Sequence, residues 1–551
     1  MQVFKRTFSL DAPTKILLTI ITFAGVIRLI GIAYGLPLWL VDDEPPFILA
    51  ALKMLQLHTL LPVLHQGDFA SLLYYPPYLA YLYVLPFSII LGVQYLLHHA
   101  LGSLFIPYIV NDLSAFFLSA RCIMVAVSLA SLFLIYKAGK NIFGEDRAGL
   151  LAAFFLSTSL LYIILSITSR HWLMVSFFGL LVLWIVTDGN NSIDRRYLRA
   201  SVAAGIGMGF SVVSGFYLAL LAAWYLFEEK LSVTRKTIML CIVSFGLLAA
   251  LPIILYPRSL GFSGDVTTSH AKTLGGLLLS PFNFLTPIAY SEPLLIILAL
   301  IGLLAFFKKR RGVFYALASF IYIYSGLFYL AFRYEHRFTA GLLPILAIMA
   351  AYGLTFLVDL SQKRWLYAML AIPLAFSLRL ALVISHNDSR IAAIDWIEHN
   401  IPAHEKILVF ARMTRLPTEP DAIAEQNAID SGSLRQVDAS ESVLPQEALS
   451  TPTFHALNLY SVNNEAFFAS IATYAKDHHY AYALVSDEDF LFGDPAFAQV
   501  QNFIATQEVV RKFGSVHPAY SISNSQLWGS PLALFDFNNF GPGLTLYKLN
   551  N

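Results

Sequence analysis

The chain has 551 residues, 57% hydrophobic and only 13% charged, with a net charge of +1 and a mean hydropathy of +0.65. That balance excludes an ordinary soluble globular chain, and nucleic acid is not an expected partner. The two cysteines, Cys122 and Cys241, both lie in apolar runs, which leaves neither a disulfide framework nor a zinc cluster.

Apolar runs of about 20 residues recur from Lys15 to about Ile384, so this part reads as a polytopic membrane protein. Lys5, Arg6 and Lys15 place the N-terminus in the cytoplasm by the positive-inside rule, and no small-residue cleavage site follows. A first span at 15–38 delivers "VDDEPPFILAALKML" to the outside. The stretch 76–110, with "YYPPYLAYLYVLPF", is expected as an interfacial or re-entrant element, because a crossing there would put the basic turn "YKAGKNIFGEDR" outside. Span 2 covers 112–136, with Arg121 near its start as an interfacial anchor. Spans at 148–167 and 172–187 follow, and the Gly- and Ser-rich run 200–227 reads as a hairpin of two short helices. A span at 236–256 leads to a polar loop at 257–292. "FFKKRRG" then falls inside, "FRYEHRF" outside and "SQKRW" inside, and a last span covers 366–384. The total expected is about 11 transmembrane helices.

Residues 386–551 are different material, with 19 acids and 9 bases in an otherwise basic chain. "DSRIAAIDWIEHN" and "FASIATYAKDHH" read as helices, and "KILVF", "AYALVSD" and "LTLYKL" as strands of a small extracytoplasmic α/β domain.

Four stretches together resemble the GT-C membrane glycosyltransferases, in particular relatives of protein O-mannosyltransferases and aminoarabinose transferases. They are "DDEPPFILAALKML", "YYPPYLAYLY", "SARCIMVAVSLASLFLIYKAGKNIFG" and "FRYEHRFTAGLLPILAIMAAYGL", in that order. The resemblance implies a GT-C catalytic membrane domain at 1–385 and an extracytoplasmic domain at 386–551, in the plasma (inner) membrane. It also implies inverting transfer of a sugar from a polyprenyl-phosphate donor held in the bilayer. The acceptor is left open among a protein, a glycolipid and a polysaccharide.

Such transfer needs a carboxylate to take the acceptor's proton and fixed cations to meet the leaving phosphate. Asp43 matches the first acid of the family's Asp-Glu pair and is the expected base, with Glu44 orienting the acceptor or Asp43; Asp42 has no family counterpart. From spacing alone the same acids read as caps of the Pro-started helix, and the resemblance is what favours catalysis. Arg333 and Arg337 are the expected phosphate ligands, Arg337 matching the family arginine; snorkelling to headgroups is the plainer reading. Tyr74 and Tyr75 line the site or belong to an aromatic belt. His270 and Lys272, in the polar loop, approach the lipid head or are simply solvated. The loop "SITSRHWLMVS" lacks the acid that many relatives carry, which puts a divalent metal in doubt. His171 there reads as a replacement ligand, a proton shuttle or a stacking residue. A lipid-linked oligosaccharide transporter and an O-antigen-ligase-type transferase are the alternatives. Against a transporter, charge is nearly absent at mid-span and gathers at one face.

Overall fold

A computed structural model describes residues 11–70, 72–73, 75–230, 232–257, 273–331, 335–360, 364–433, 443–444, 452–487, 495–514, 520–522, 526–527 and 529–550. In lipid every backbone polar group needs an internal partner, so the apolar runs become helices. The fold class is the expected one: a polytopic α-helical membrane protein with a small C-terminal α/β domain.

Among the described residues, six helices are long and apolar enough to cross a membrane: Ala12–Ile30, Tyr78–Asn111, Ser114–Phe143, Arg235–Leu255, Arg311–Ala331 and Trp365–Asn400. The pair Asp146–Thr158 and Leu160–Ser166, bent by 68°, makes a seventh if taken as one span. His171–Thr187, Val212–Phe227 and Leu343–Leu357 are apolar but shorter. The expected eleven thus resolve into six or seven full-length helices and several short ones. A short helix is stable here because protein surrounds it: most of His171–Thr187 is buried.

Two expectations change form. The stretch 76–110 begins as the continuous helix Tyr78–His98 and breaks near Gly102, whose φ of 56° suits glycine. The loop expected at 257–292 is helical from Leu274, with Leu274–Leu278 followed by Ser280–Ser291, whose first turn carries a proline. The hairpin at 200–227 holds as Ile193–Met208, a 3-10 turn Val212–Phe216 and Tyr217–Phe227. Elsewhere helices touch backbone to backbone. A Cβ on Gly302 would lie 1.8 Å from Met349 O, and one on Gly353 2.1 Å from Leu298 O, so only glycine permits the crossing of Pro293–Lys309 with Leu343–Leu360.

The C-terminal sheet runs in the order His455–Asn458, Lys406–Phe410, Tyr482–Ser486, Leu544–Lys548, Glu508–Phe513. The first three strands are parallel, and the last two pair antiparallel. Side chains alternate between two covered faces: Leu408 and Phe410 pack with Phe468 and Val500, and Ile407 and Val409 with Ala393 and Ile397. One part of this region leaves the sheet: Ile522, Leu527, Leu534, Phe537 and Phe540 share the core of the membrane helices. Polar ties join the same parts. Tyr34 donates to Asp388 at 2.6 Å, and the Leu527 N–H donates to His336 Nδ1 at 3.0 Å. Burial pushes His336 down to about 3, so it is neutral and accepts that bond.

Candidate active site

The three acids after the first helix are set by one backbone feature. Pro45 opens the helix Pro45–Gln56, and Asp43 has φ 62°, the left-handed region that Asp tolerates better than most residues. Successive side chains therefore diverge to three partners. Asp42 faces Arg412 of the C-terminal domain at 3.7 Å, Asp43 meets Arg337 at 2.7 Å and Glu44 meets Arg121 at 2.6 Å. Glu44 occupies the cap position, but its side chain makes no capping hydrogen bond.

Glu44 is fully buried. It accepts from Arg121 Nε at 2.8 Å and Nη2 at 2.6 Å, and from the Ser169 N–H at 2.7 Å. Arg121 Nη1 donates to Ile32 O at 2.8 Å and Tyr34 O at 2.7 Å. Arg121, expected as an interfacial anchor, is instead wholly enclosed. A guanidinium on Ser114–Phe143 can be enclosed only because Glu44 and two carbonyls satisfy it. The pair ties the first helix's exit, the acidic turn and the Ser169 loop together.

Asp43 stays within reach of water, 20% exposed, as does Arg337 at 14%. Arg337 sits in the 3-10 turn His336–Gly341, and its Nε lies 2.6 Å from Glu335 Oε2. Burial works against the guanidinium charge, but Asp43 and Glu335 outweigh it and hold the pKa above its ordinary value. Arg170, fully buried just before His171–Thr187, is in electrostatic reach of Arg337, Asp43, Asp42 and Glu44.

An aromatic wall stands beside this cluster. Tyr75 stacks on Phe47 at 5.3 Å, and its ring centroid is 4.3 Å from that of His171. Burial, and next Asp43, push the Tyr75 hydroxyl above its usual pKa, so it remains a proton donor. His171 is buried against Trp172 at 4.4 Å, and its Nδ1 has no hydrogen-bond partner among the described residues.

Asp43, Arg337, Tyr75 and His171 are therefore brought into one neighbourhood, while Glu44 turns away into the protein. Tyr74, His270, Lys272 and Arg333 lie outside the described residues. Sequence reasoning passes over Glu335, although it stands in "FRYEHRF", and gives Arg170 no role, although it adjoins His171. Among the described residues no group of three His, Cys, Asp or Glu is placed to hold a metal ion. Arg170 and Arg337 set two guanidinium charges close to Asp43, which opposes a cation beside that carboxylate.

Fold and site together define a polytopic membrane protein with an acid–arginine cluster between its helices and its C-terminal domain. No family model matches the chain, and no curated protein matches it. Among solved structures, it is similar to ArnT from Cupriavidus metallidurans in the apo state, with 12% identity, a TM-score of 0.45 and 98% of each chain covered. It is likewise similar to the same protein bound to undecaprenyl phosphate, with 11% identity, a TM-score of 0.45 and 98% of each chain covered. Arabinofuranosyltransferase AftD from Mycobacteria matches at 13% identity and a TM-score of 0.35, over 84% of this chain and 35% of that one.

Proposed function

We propose that the protein is a membrane glycosyltransferase that moves a sugar from a polyprenyl-phosphate donor to an acceptor on the C-terminal-domain side of the membrane. That side is taken as extracytoplasmic, with the N-terminus cytoplasmic, from the charge pattern. The observation that carries the reading is the 2.7 Å contact between Asp43 and Arg337, which lie 294 residues apart in sequence. It joins a proton acceptor to a phosphate-binding cation in a place that water still reaches.

In the step inferred, the acceptor hydroxyl attacks the anomeric carbon and gives its proton to the Asp43 carboxylate. The bond from that carbon to the phosphate oxygen breaks on the opposite face, with inversion, and the polyprenyl phosphate leaves with the electron pair. Arg337 meets the growing phosphate charge, and Arg170 adds a second positive charge nearby. The donor phosphate competes with Asp43 for Arg337, so donor binding loosens the ion pair and frees the base. Tyr75, half-buried and braced by its stack on the buried Phe47, offers an aromatic edge to the sugar ring. Glu44 orients Asp43 indirectly, by locking the turn through Arg121.

The test is transfer of radiolabelled sugar from a polyprenyl-phosphate donor to envelope acceptors by purified protein in liposomes. Wild type is expected to label an acceptor and Asp43→Asn to leave it unlabelled. Full transfer by Asp43→Asn removes Asp43 as base. Donor crossing the bilayer without any product would instead mark a transporter.

A further inference from the structure

The segment 529–540 is the last part of the C-terminal domain that packs into the core of the membrane helices, and its two faces differ. Pro531–Phe535 is a 3-10 turn, in which residues three apart eclipse one another. Pro531 and Leu534 point inward, and Phe537 and Phe540 continue that buried row. Leu532 and Phe535, also three apart, point outward and are 67% and 55% exposed. Two large apolar side chains side by side at the surface of a polar domain call for a partner.

The neighbour of this turn identifies the partner. Phe535 lies 6.1 Å from the ring of Phe376, and the Arg379 guanidinium stands 5.6 Å over the Phe535 ring. Arg379 donates from Nε to Leu534 O at 2.8 Å, and from Nη2 to Phe537 O at 2.6 Å and Asn538 Oδ1 at 3.0 Å. Both residues belong to the last membrane helix, Arg364–Ser385. Its apolar stretch from Trp365 to Ile384 spans about 30 Å at 1.5 Å per residue, the thickness of a hydrocarbon core. Arg379 then sits about 9 Å, and Phe376 about 14 Å, along the axis from Ser385. With the hydrocarbon edge set at Ser385 by that length, the turn that touches them lies on its lipid side. The exposed Leu378 and Leu382 on the same helix, at 44% and 56%, continue its apolar surface towards lipid.

We propose that the 530–538 turn is a membrane clip: Leu532 and Phe535 insert into the lipid leaflet that adjoins the C-terminal domain. Its carbonyls satisfy Arg379, which would otherwise be a lone guanidinium facing hydrocarbon. The clip holds the domain against the last membrane helix. It thereby keeps the loop after Lys406–Phe410, which carries Arg412, beside Asp42. This inference is independent of the glycosyl-transfer reading.

Spin labels at Leu532→Cys and Phe535→Cys test it, in full-length protein whose Cys122 and Cys241 are replaced by serine, reconstituted in phosphatidylcholine–phosphatidylglycerol liposomes. Both substituted positions are exposed, so folding is expected to survive. Leu378→Cys serves as the lipid-facing reference and Val509→Cys as the exposed reference on the sheet. Collisions with dissolved oxygen, which partitions into lipid, are compared with those of a water-soluble nickel chelate. The expected result is oxygen-rich, nickel-poor behaviour at both sites, with an oxygen-to-nickel ratio several times that at Val509 and near that at Leu378. Nickel-rich behaviour places the turn in water and overturns the clip. Low collision with both reagents means that protein covers the pair, which overturns it equally.

Discussion

Glu44–Arg121 and Asp43–Arg337 begin at neighbouring residues and end in opposite environments. The first pair is sealed, 0% exposed on both sides, with its hydrogen bonds completed by backbone groups. The second lies at a partly open edge, shared with Glu335 and beside Arg170. Chemically the two are one motif. Water access separates their roles: a sealed pair cannot exchange partners, so it holds shape, whereas an open pair can give up its arginine to an incoming anion.

The comparison breaks or sharpens under substitution. Asp43→Asn should lower transfer by about 100- to 10,000-fold, the usual share of a general base, with the unfolding midpoint in detergent near wild type. Arg121→Met should do the reverse. It strands a buried carboxylate and should cost about 3–5 kcal/mol of stability, read as a lower midpoint, and adding Glu44→Leu should restore most of it. Equal loss of turnover per folded molecule in Glu44→Gln and Asp43→Asn would erase the distinction.

Arg337→Lys keeps charge but loses the planar fork. It should weaken donor binding by roughly ten- to a hundredfold, seen in KM for the donor, because charged hydrogen bonds are worth about 1.5–3 kcal/mol. The C-terminal domain has its own acid device in Glu425, which accepts from His455 at 2.6 Å and Tyr480 at 2.8 Å. Burial alone would raise its pKa, but those hydrogen bonds outweigh it and hold the carboxyl down at about 2. A folded pKa below the unfolded one adds stability above pH about 4.5, lost as pH falls towards 2. A pH series of unfolding midpoints should show that slope, and Glu425→Gln should flatten it. The smallest effect is expected at the outer rim. Asp42→Asn or Arg412→Ala breaks a half-exposed pair at 3.7 Å and should change stability by about 0–1 kcal/mol.

Much of this was legible one residue at a time. The acidic turn, Arg337 and Tyr75 stand in recognisable stretches, and the strands "KILVF", "AYALVSD" and "LTLYKL" appear as Lys406–Phe410, Tyr482–Ser486 and Leu544–Lys548. The assignment of Arg121 to the interface failed for a definable reason. An arginine in an apolar run ordinarily snorkels, unless a carboxylate from elsewhere comes to meet it. Glu44 does so from 77 residues away, and nothing local to Arg121 announces it. The break at Thr158 escaped notice likewise. Its free groups are met by Glu292, which accepts from Ser159 Oγ at 2.8 Å and the Leu161 N–H at 3.1 Å across more than a hundred residues of chain.

Hydropathy and charge are sums over neighbouring residues, so the chain alone settles that it lives in a membrane and carries an acidic α/β domain at its end. Partner choice is not a local sum. Three consecutive acids took three arginines from three distant segments because a left-handed Asp43 splayed them and the packing of helices and C-terminal domain brought those arginines within about 4 Å. Electrostatic energy depends on separation and solvent in space, and neither is written along the chain.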